Sequence, residues 1–181
     1  MISWKTKIAQ GGVMLLLICS SAAALHLLTT LATRDSARRH LAAWLKGAQY
    51  EGTAGVALQT RTMNCGPAAL QMALDSWGVE RTLAEIENAV TLDEQGSSLL
   101  DLMRYAQNQG LHTEAWQLNI KDLENKQLPA IVFIDGDHFA VLDRITPQDE
   151  VVLRDPAIGQ LKMSKAAFER IWQGETLLLK K

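Results

Sequence analysis

Hydrophobic and polar positions divide the 181-residue chain into three parts. Residues 11–32 contain no Asp, Glu, Lys or Arg, and this run of 22 positions is close to the ~20 that a helix needs to cross a bilayer. Large apolar residues recur at helical spacing in residues 34–50, which predicts an amphipathic juxtamembrane helix. Residues 51–181 carry the mixed patterns of a globular domain. We therefore predict a membrane segment within residues 1–33, a linker helix over 34–50 and one domain over 51–181.

The N-terminal segment has more than one interpretation. We favour a single-pass membrane anchor over a cleavable signal peptide, although small residues around Ala24 offer a cleavage site. A lipoprotein at Cys19 is disfavoured because the bulky Ile18 precedes it. The basic residues on the two flanks favour opposite orientations. They are Lys5, Lys7, Arg34, Arg38 and Arg39. Since the short basic N-terminus resembles an export signal, we favour an extracytoplasmic domain on a bacterial membrane, with the cytoplasmic face as the alternative.

Helical patterns dominate the first half of the domain. Residues 65–78 place Pro67 in a first turn and end on a glycine. Residues 82–90 begin with the Thr and Glu spacing of a capping box. Residues 97–110 open on a serine cap and end on a glycine. These patterns predict three helices.

The period changes from helical to alternating in the second half. Short β-branched or aromatic runs, separated by turn residues, cover residues 112–118, 129–135, 138–146 and 150–156. We predict that these runs form adjacent antiparallel strands. A late helix over 164–172 and a last strand over 175–181 follow. Helices followed by a small antiparallel sheet define an α+β domain.

Composition and charge exclude several classes of function. The chain has 18 Lys and Arg against 20 Asp and Glu, for a formal net charge of −2. A nucleic-acid partner is disfavoured, because binding phosphates needs a basic stripe. The four histidines lack metal-ligand spacing, so we expect neither zinc nor another cofactor. The two cysteines, Cys19 and Cys65, lie in different parts of the chain, and we expect no disulfide within the domain.

Cys65 stands at the start of the first predicted helix, a position that favours a reactive thiol. Unsatisfied backbone N–H groups and the helix dipole lower the pKa of a cysteine placed there. Gly66 permits close approach of other groups, and Pro67 suits a first helical turn. On the local sequence alone, a small buried core residue is an equally open interpretation of Cys65.

Partners for the thiol are found in other parts of the sequence. His138 begins a predicted strand, where an imidazole can act as general base near neutral pH. Asp155 ends the next strand and could orient the ring. Gln59, six residues before Cys65, could donate a hydrogen bond to an oxyanion, although nothing physical in the sequence selects it over Gln71. The rivals of Asp155 are Asp135, Asp137 and Asp143.

The order of these motifs resembles a known family. Gln59, "CGPAAL" from Cys65, "HFAVL" from His138 and "DPAIG" from Asp155 are similar to the motifs of papain-like cysteine peptidases that process double-glycine leader peptides. These bacteriocin-processing enzymes usually form the N-terminal domain of ABC transporters. The resemblance covers about residues 54–179. It implies a papain-like α+β fold, with Cys65 as nucleophile, His138 as general base and then acid, Asp155 as orienting carboxylate and Gln59 as oxyanion donor.

The chain departs from this family in having one predicted anchor and no G-x-x-x-x-G-K-[ST] phosphate-binding motif. Coupling to export would therefore come from a separate ABC transporter or other secretion component, or be absent. The resemblance implies a membrane-anchored endopeptidase that cleaves a peptide or protein precursor after Gly-Gly or a similar small-residue site. The alternatives are a noncatalytic module that binds a leader or precursor, and a papain-like amidase or acyltransferase.

Overall fold

A single antiparallel sheet organises the domain in the computed structural model, which describes residues 34–94 and 96–181. The seven strands among these residues lie in the order β1-β6-β5-β4-β3-β7-β2. They are β1 Ala48–Gly52, β2 His112–Gln117, β3 Ala130–Ile134, β4 His138–Ile145, β5 Glu150–Asp155, β6 Gly159–Ser164 and β7 Trp172–Lys180.

Helices pack on both faces of this sheet. Residues 34–45 are helical and are called α1 here. The other helices are α2 Cys65–Ser76, α3 Leu83–Ala89, α4 Leu99–Asn108, α5 Ile120–Glu124 and α6 Lys165–Ile171, and a short 3-10 helix over Thr62–Asn64 precedes α2. The chain divides into two units after Arg39, and the sheet and the cleft described below lie in the second unit, His40–Lys181.

The three helices predicted for the first half are confirmed as α2, α3 and α4. The side chain of Thr82 accepts a hydrogen bond from the Glu85 N–H in a capping box, and Ser98 caps α4 through the Asp101 N–H. The linker helix predicted over residues 34–50 ends earlier. Gly47 adopts φ 70°, a left-handed conformation that ends helices, and residues 48–50 belong to β1.

The α+β class and the antiparallel pairing are confirmed, but the strand order differs from the predicted one. The run at 112–118 forms β2, which pairs with β7 at the sheet edge and not with β3. Two strands, β1 and β6, were not predicted. In β6 the apolar positions alternate with Gln160 and Lys162, and the strand runs directly into α6, which leaves no turn residue to mark its end.

The predicted alternation along β4 is confirmed by its two buried faces. Phe139 and Val141 join the core formed with α2, α3 and α4, whereas Ala140 and Leu142 join the core that contains Phe168 of α6. Because both faces of the central strands are covered, only residues at the ends of these strands are placed to contact a substrate. His138 begins β4 and Asp155 ends β5, at the same end of the sheet.

No helix within residues 34–94 and 96–181 has the length and apolar character needed to span a membrane. The segment predicted to be a membrane anchor, residues 11–32, lies outside the residues that the structure describes.

Candidate active site

Cys65 is the first residue of α2, and the end of this helix is open towards a cleft. The preceding Asn64 does not cap the helix with its side chain, and the first turn contains no acidic residue. The unsatisfied N–H groups therefore favour a negative charge at the Cys65 thiol. Cys65 is a free cysteine and only 7% exposed, so most of its surface is shielded from solvent.

The imidazole of His138 lies between the thiol and a carboxylate. Its Nε2 is 2.9 Å from Oδ1 of Asp155, and the ring also forms a hydrogen bond with the Cys65 thiol. Since Nε2 faces Asp155, Nδ1 is the nitrogen left for the thiol. The structure thus brings together in one chain of contacts the three residues that the sequence places 73 and 17 positions apart.

Asp155 is fully buried, and its position depends on backbone donors as well as on the histidine. Its Oδ1 accepts hydrogen bonds from the N–H groups of Ala157 and Ile158, at 2.8 and 3.2 Å. The turn that follows β5, opened by Pro156, presents both groups. These donors favour the ionised carboxylate in a place where burial alone would oppose it.

The electrostatics of the three groups support an ion pair between thiol and imidazole. Burial raises the pKa of Cys65, but hydrogen bonds from His138 and from the Phe139 N–H, with the imidazolium charge, make the net shift downward. Burial lowers the pKa of His138, but hydrogen bonds to Asp155 and Cys65 raise it to about 9. Burial raises the pKa of Asp155, and its bond to His138 reverses this shift. The lowered pKa of the thiol and the raised pKa of the imidazole both favour a thiolate beside an imidazolium.

The rivals of Asp155 are engaged elsewhere or do not contact the ring. Asp143 binds Arg154, with both carboxylate oxygens 2.9 Å from Nε. Asp135 forms an ion pair with Lys46. Asp137 lines the cleft, but the carboxylate that bonds the His138 ring is that of Asp155.

Gln59 also lines the cleft, and Gln71 does not. The sequence alone could not choose between these two glutamines. Its backbone N–H donates to the Pro156 carbonyl at 2.9 Å, which ties its loop to the turn after Asp155. Its side-chain amide donates to the carbonyls of Arg61 and Thr62, at 3.1 and 3.4 Å. The amide is therefore at the site but bonded to the loop before Cys65.

Two further residues support the site and were not singled out from the sequence. Asn64 is buried, donates to Thr60 Oγ1 at 3.0 Å and to Glu87, and accepts from the Arg61 N–H at 3.1 Å. These bonds fix the loop that leads into Cys65. The position of Asn64 directly before the cysteine was the one sequence feature that could have identified it.

Ser97 packs directly over the residue that follows the nucleophile candidate. A Cβ at Gly66 would lie 2.1 Å from Ser97 Oγ, so the glycine is needed for this close approach. The hydroxyl is buried without a hydrogen-bond partner among the described residues and lines the cleft. Only the tertiary structure shows why position 66 is a glycine.

The cleft has a volume of about 810 Å³ and is large enough for several residues of an extended peptide. Apolar and acidic side chains line much of the cleft. They include Met63, Leu99, Phe133, Phe139, Asp93, Glu94, Asp137 and Glu175.

Comparison with known proteins agrees with this geometry. The model of the peptidase C39 family matches residues 53–181, and the chain belongs to this family. The resemblance stated from the sequence motifs is thereby confirmed.

The relatives extend beyond one type of protein. An uncharacterized protein of Methanothermobacter thermautotrophicus is 29% identical over 126 residues, which cover 70% of this chain and 88% of that protein. The probable functional amyloid protease FapD of Pseudomonas aeruginosa is 30% identical over 128 residues, 64% of this chain and 56% of FapD. The crystal structure of a double glycine motif protease from an AMS/PCAT transporter, in complex with the leader peptide, matches with a TM-score of 0.66 and 26% identity, covering 69% of this chain and 89% of that one.

We predict that Cys65 reacts rapidly with iodoacetamide at pH 7 and that His138→Ala slows this reaction. Loss of the imidazolium removes the largest influence that lowers the thiol pKa, and the thiolate fraction falls about tenfold for each unit by which the pKa rises. Mass spectrometry of the peptide containing Cys65 separates its labelling from that of Cys19. His112→Ala, at an exposed histidine outside the cleft, is the control and leaves the rate unchanged. Equal rates in wild type and His138→Ala would contradict the ion pair.

Proposed function

We propose that this chain is a membrane-anchored cysteine endopeptidase that cleaves a precursor or leader peptide after a Gly-Gly or similar small-residue site. The observation that carries the proposal is the continuous hydrogen-bonded set of Cys65, His138 and Asp155 at the wall of an open cleft. Membership of the peptidase C39 family supports the reaction class. The double glycine motif protease among the structural relatives supports the choice of cleavage site.

In the acylation step the Cys65 thiolate attacks the carbonyl carbon of the scissile peptide bond. An S–C bond forms, and the carbonyl π electrons move to oxygen as an oxyanion. When the tetrahedral intermediate collapses, the C–N bond breaks and the His138 imidazolium gives its proton to the leaving amine. The products of this step are a free amine and a thioester on Cys65.

In the deacylation step neutral His138 takes a proton from water, and the resulting hydroxide attacks the thioester carbon. Collapse of the second intermediate breaks the S–C bond and releases the new carboxyl terminus. The thiolate and the imidazolium are restored, and one water molecule is consumed. Asp155 holds the ring in orientation through Nε2 and stabilises its charge, so Nδ1 stays directed at the sulfur.

Two donors are proposed for the oxyanion: the backbone N–H of Cys65 and the side-chain amide of Gln59. The position of Gln59 on the cleft supports this role. Its amide would exchange a bond to the Arg61 or Thr62 carbonyl for a bond to the oxyanion when substrate binds.

The same proposal places the chain in a bacterial membrane by a single span within residues 11–32, with the peptidase domain on the extracytoplasmic side. The support is the uncharged run and its short basic N-terminus. A separate secretion component would deliver the precursor or export the product.

We predict that Cys65→Ala abolishes cleavage of a peptide containing Gly-Gly, measured as product mass with the full chain. The matched substrate, with Val-Val in place of Gly-Gly, stays uncut by the wild type. Cleavage rises with pH as the thiol ionises and falls above about 9, because the raised pKa of His138 then leaves no proton for the leaving amine.

Three other outcomes of that assay would count against the proposal. Cleavage by Cys65→Ala would contradict the mechanism. Peptide binding without cleavage, with slow alkylation of Cys65, would favour the noncatalytic module. Release of ammonia or transfer of the acyl group to an amine would favour the amidase or acyltransferase.

We predict that Gln59→Ala lowers kcat by about 10²–10³, the cost of removing one oxyanion donor. The rate of Cys65 alkylation stays unchanged, because no oxyanion forms in that reaction. Gln71→Ala, in α2 and away from the cleft, is the control and retains kcat. A parallel loss of alkylation and cleavage in Gln59→Ala would instead assign Gln59 to the support of the loop.

We predict that carbonate extraction leaves the full chain in the membrane fraction and that intact mass shows residues 1–33 retained. Protease added to spheroplasts digests the domain before lysis if it lies outside the cytoplasm. Release by carbonate, or loss of residues 1–24, would replace the anchor by a signal peptide. Digestion only after lysis would reverse the orientation.

A further inference from the structure

Lys46 lies upstream of the family match, which begins at residue 53, yet it lines the same cleft as Cys65 and His138. The segment that carries it is part of the fold. Ala43, one helical turn earlier, is fully buried in the core that contains Phe168. The backbone N–H of Lys46 donates to the Ala43 carbonyl at 3.1 Å, so α1 holds the residue from the N-terminal side.

The C-terminal side of Lys46 is held equally firmly. Gly47 is packed against α6, since a Cβ there would lie 3.1 Å from Arg170 Nη2 and 3.6 Å from Ala167 Cβ. Ala48 then begins β1 and pairs with Met163 of β6. With both neighbours fixed, the fold determines the direction in which the Lys46 side chain leaves the backbone. Its side chain is 20% exposed, which leaves the ammonium in partial contact with solvent.

The ammonium of Lys46 forms an ion pair with Asp135, in the turn that joins β3 to β4. Asp135 has φ 57°, a left-handed conformation that costs free energy in a residue other than glycine. Its backbone N–H donates to the Ile171 carbonyl at 2.7 Å. The turn is thus held through its backbone by the end of α6 and through its side chain by Lys46, and His138 follows three residues later.

The charge of Lys46 also acts on Asp155. This positive charge is among the influences that lower the pKa of Asp155.

We propose that Lys46 is a positioning residue of the active site, which holds the Asp135 turn so that the His138 ring stays aligned between Cys65 and Asp155. The catalytic unit then begins before the family domain, and the segment next to the predicted anchor contributes to the cleft. This inference rests on the proposed peptidase function, which it deepens.

The test compares Lys46→Met, Lys46→Arg, Asp135→Asn and the Lys46→Met/Asp135→Asn double variant in the full chain. Lys46→Met lowers kcat about tenfold with little change in KM, as expected for a small misplacement of a reacting group. It also slows alkylation of Cys65. Lys46→Arg keeps the pair and retains most of both rates. The double variant loses no more activity than Lys46→Met or Asp135→Asn alone, because each single substitution already removes the same ion pair.

Lys162→Met is the matched control, since Lys162 pairs with Glu150 at 2.8 Å outside the cleft. Unchanged rates in Lys46→Met, equal losses in Lys46→Met and Lys46→Arg, or additive losses in the double variant would each overturn the proposal. If Lys46→Met does not fold, Asp135→Asn takes its place as the variant without the ion pair. Lys46→Arg remains the variant that keeps the pair.

The alkylation rate separates this inference from the proposed function, because it needs no substrate. A wild-type chain that leaves Gly-Gly peptides uncut contradicts the peptidase assignment, while slower alkylation in Lys46→Met still supports positioning. A wild type that cleaves, with Lys46→Met unaffected, contradicts positioning alone.

Discussion

The site depends on one buried contact, the 2.9 Å hydrogen bond between His138 Nε2 and Asp155 Oδ1. An ionised carboxylate without solvent exposure is costly unless donors surround it. Here the imidazole and two backbone N–H groups all donate to Oδ1, while Oδ2 has no hydrogen-bond partner among the described residues. The strand β5 and the turn after it must therefore be correctly formed before the carboxylate can be buried in its ionised form, and only then is the histidine held towards Cys65. Chemistry and sheet register are coupled through this contact.

The two halves of the site meet because α2 packs on β4. Phe139, adjacent to His138, and Leu70 in α2 belong to the same buried core, so apolar burial brings the helix start to the strand start. Gly66 removes the side chain that would separate α2 from Ser97. Lys46 adds a restraint from outside the family domain. Such rigid support is what a nucleophile and its base need, since small misplacements are costly in rate.

Much of this arrangement could be predicted from the sequence because it depends on local signals. Helix caps at Thr82 and Ser98, and the alternation along β4, correctly indicated their elements. Strand order could not be predicted, since alternation shows that a strand has a buried face but not which strand lies beside it. For this reason the sequence predicted β2 next to β3. The strand β6 was missed because no turn separates it from α6.

The sequence by itself determined the α+β class, the family, and the four residues proposed for the chemistry, because residue type, spacing and order are properties of the chain. The tertiary structure shows why Asp155 and not its rivals contacts the histidine, since Asp143 pairs with Arg154 and Asp135 pairs with Lys46. It also placed Gln59 and Lys46 at the cleft. These contacts join residues that are distant in sequence, so they form only when the two hydrophobic cores have packed against the sheet.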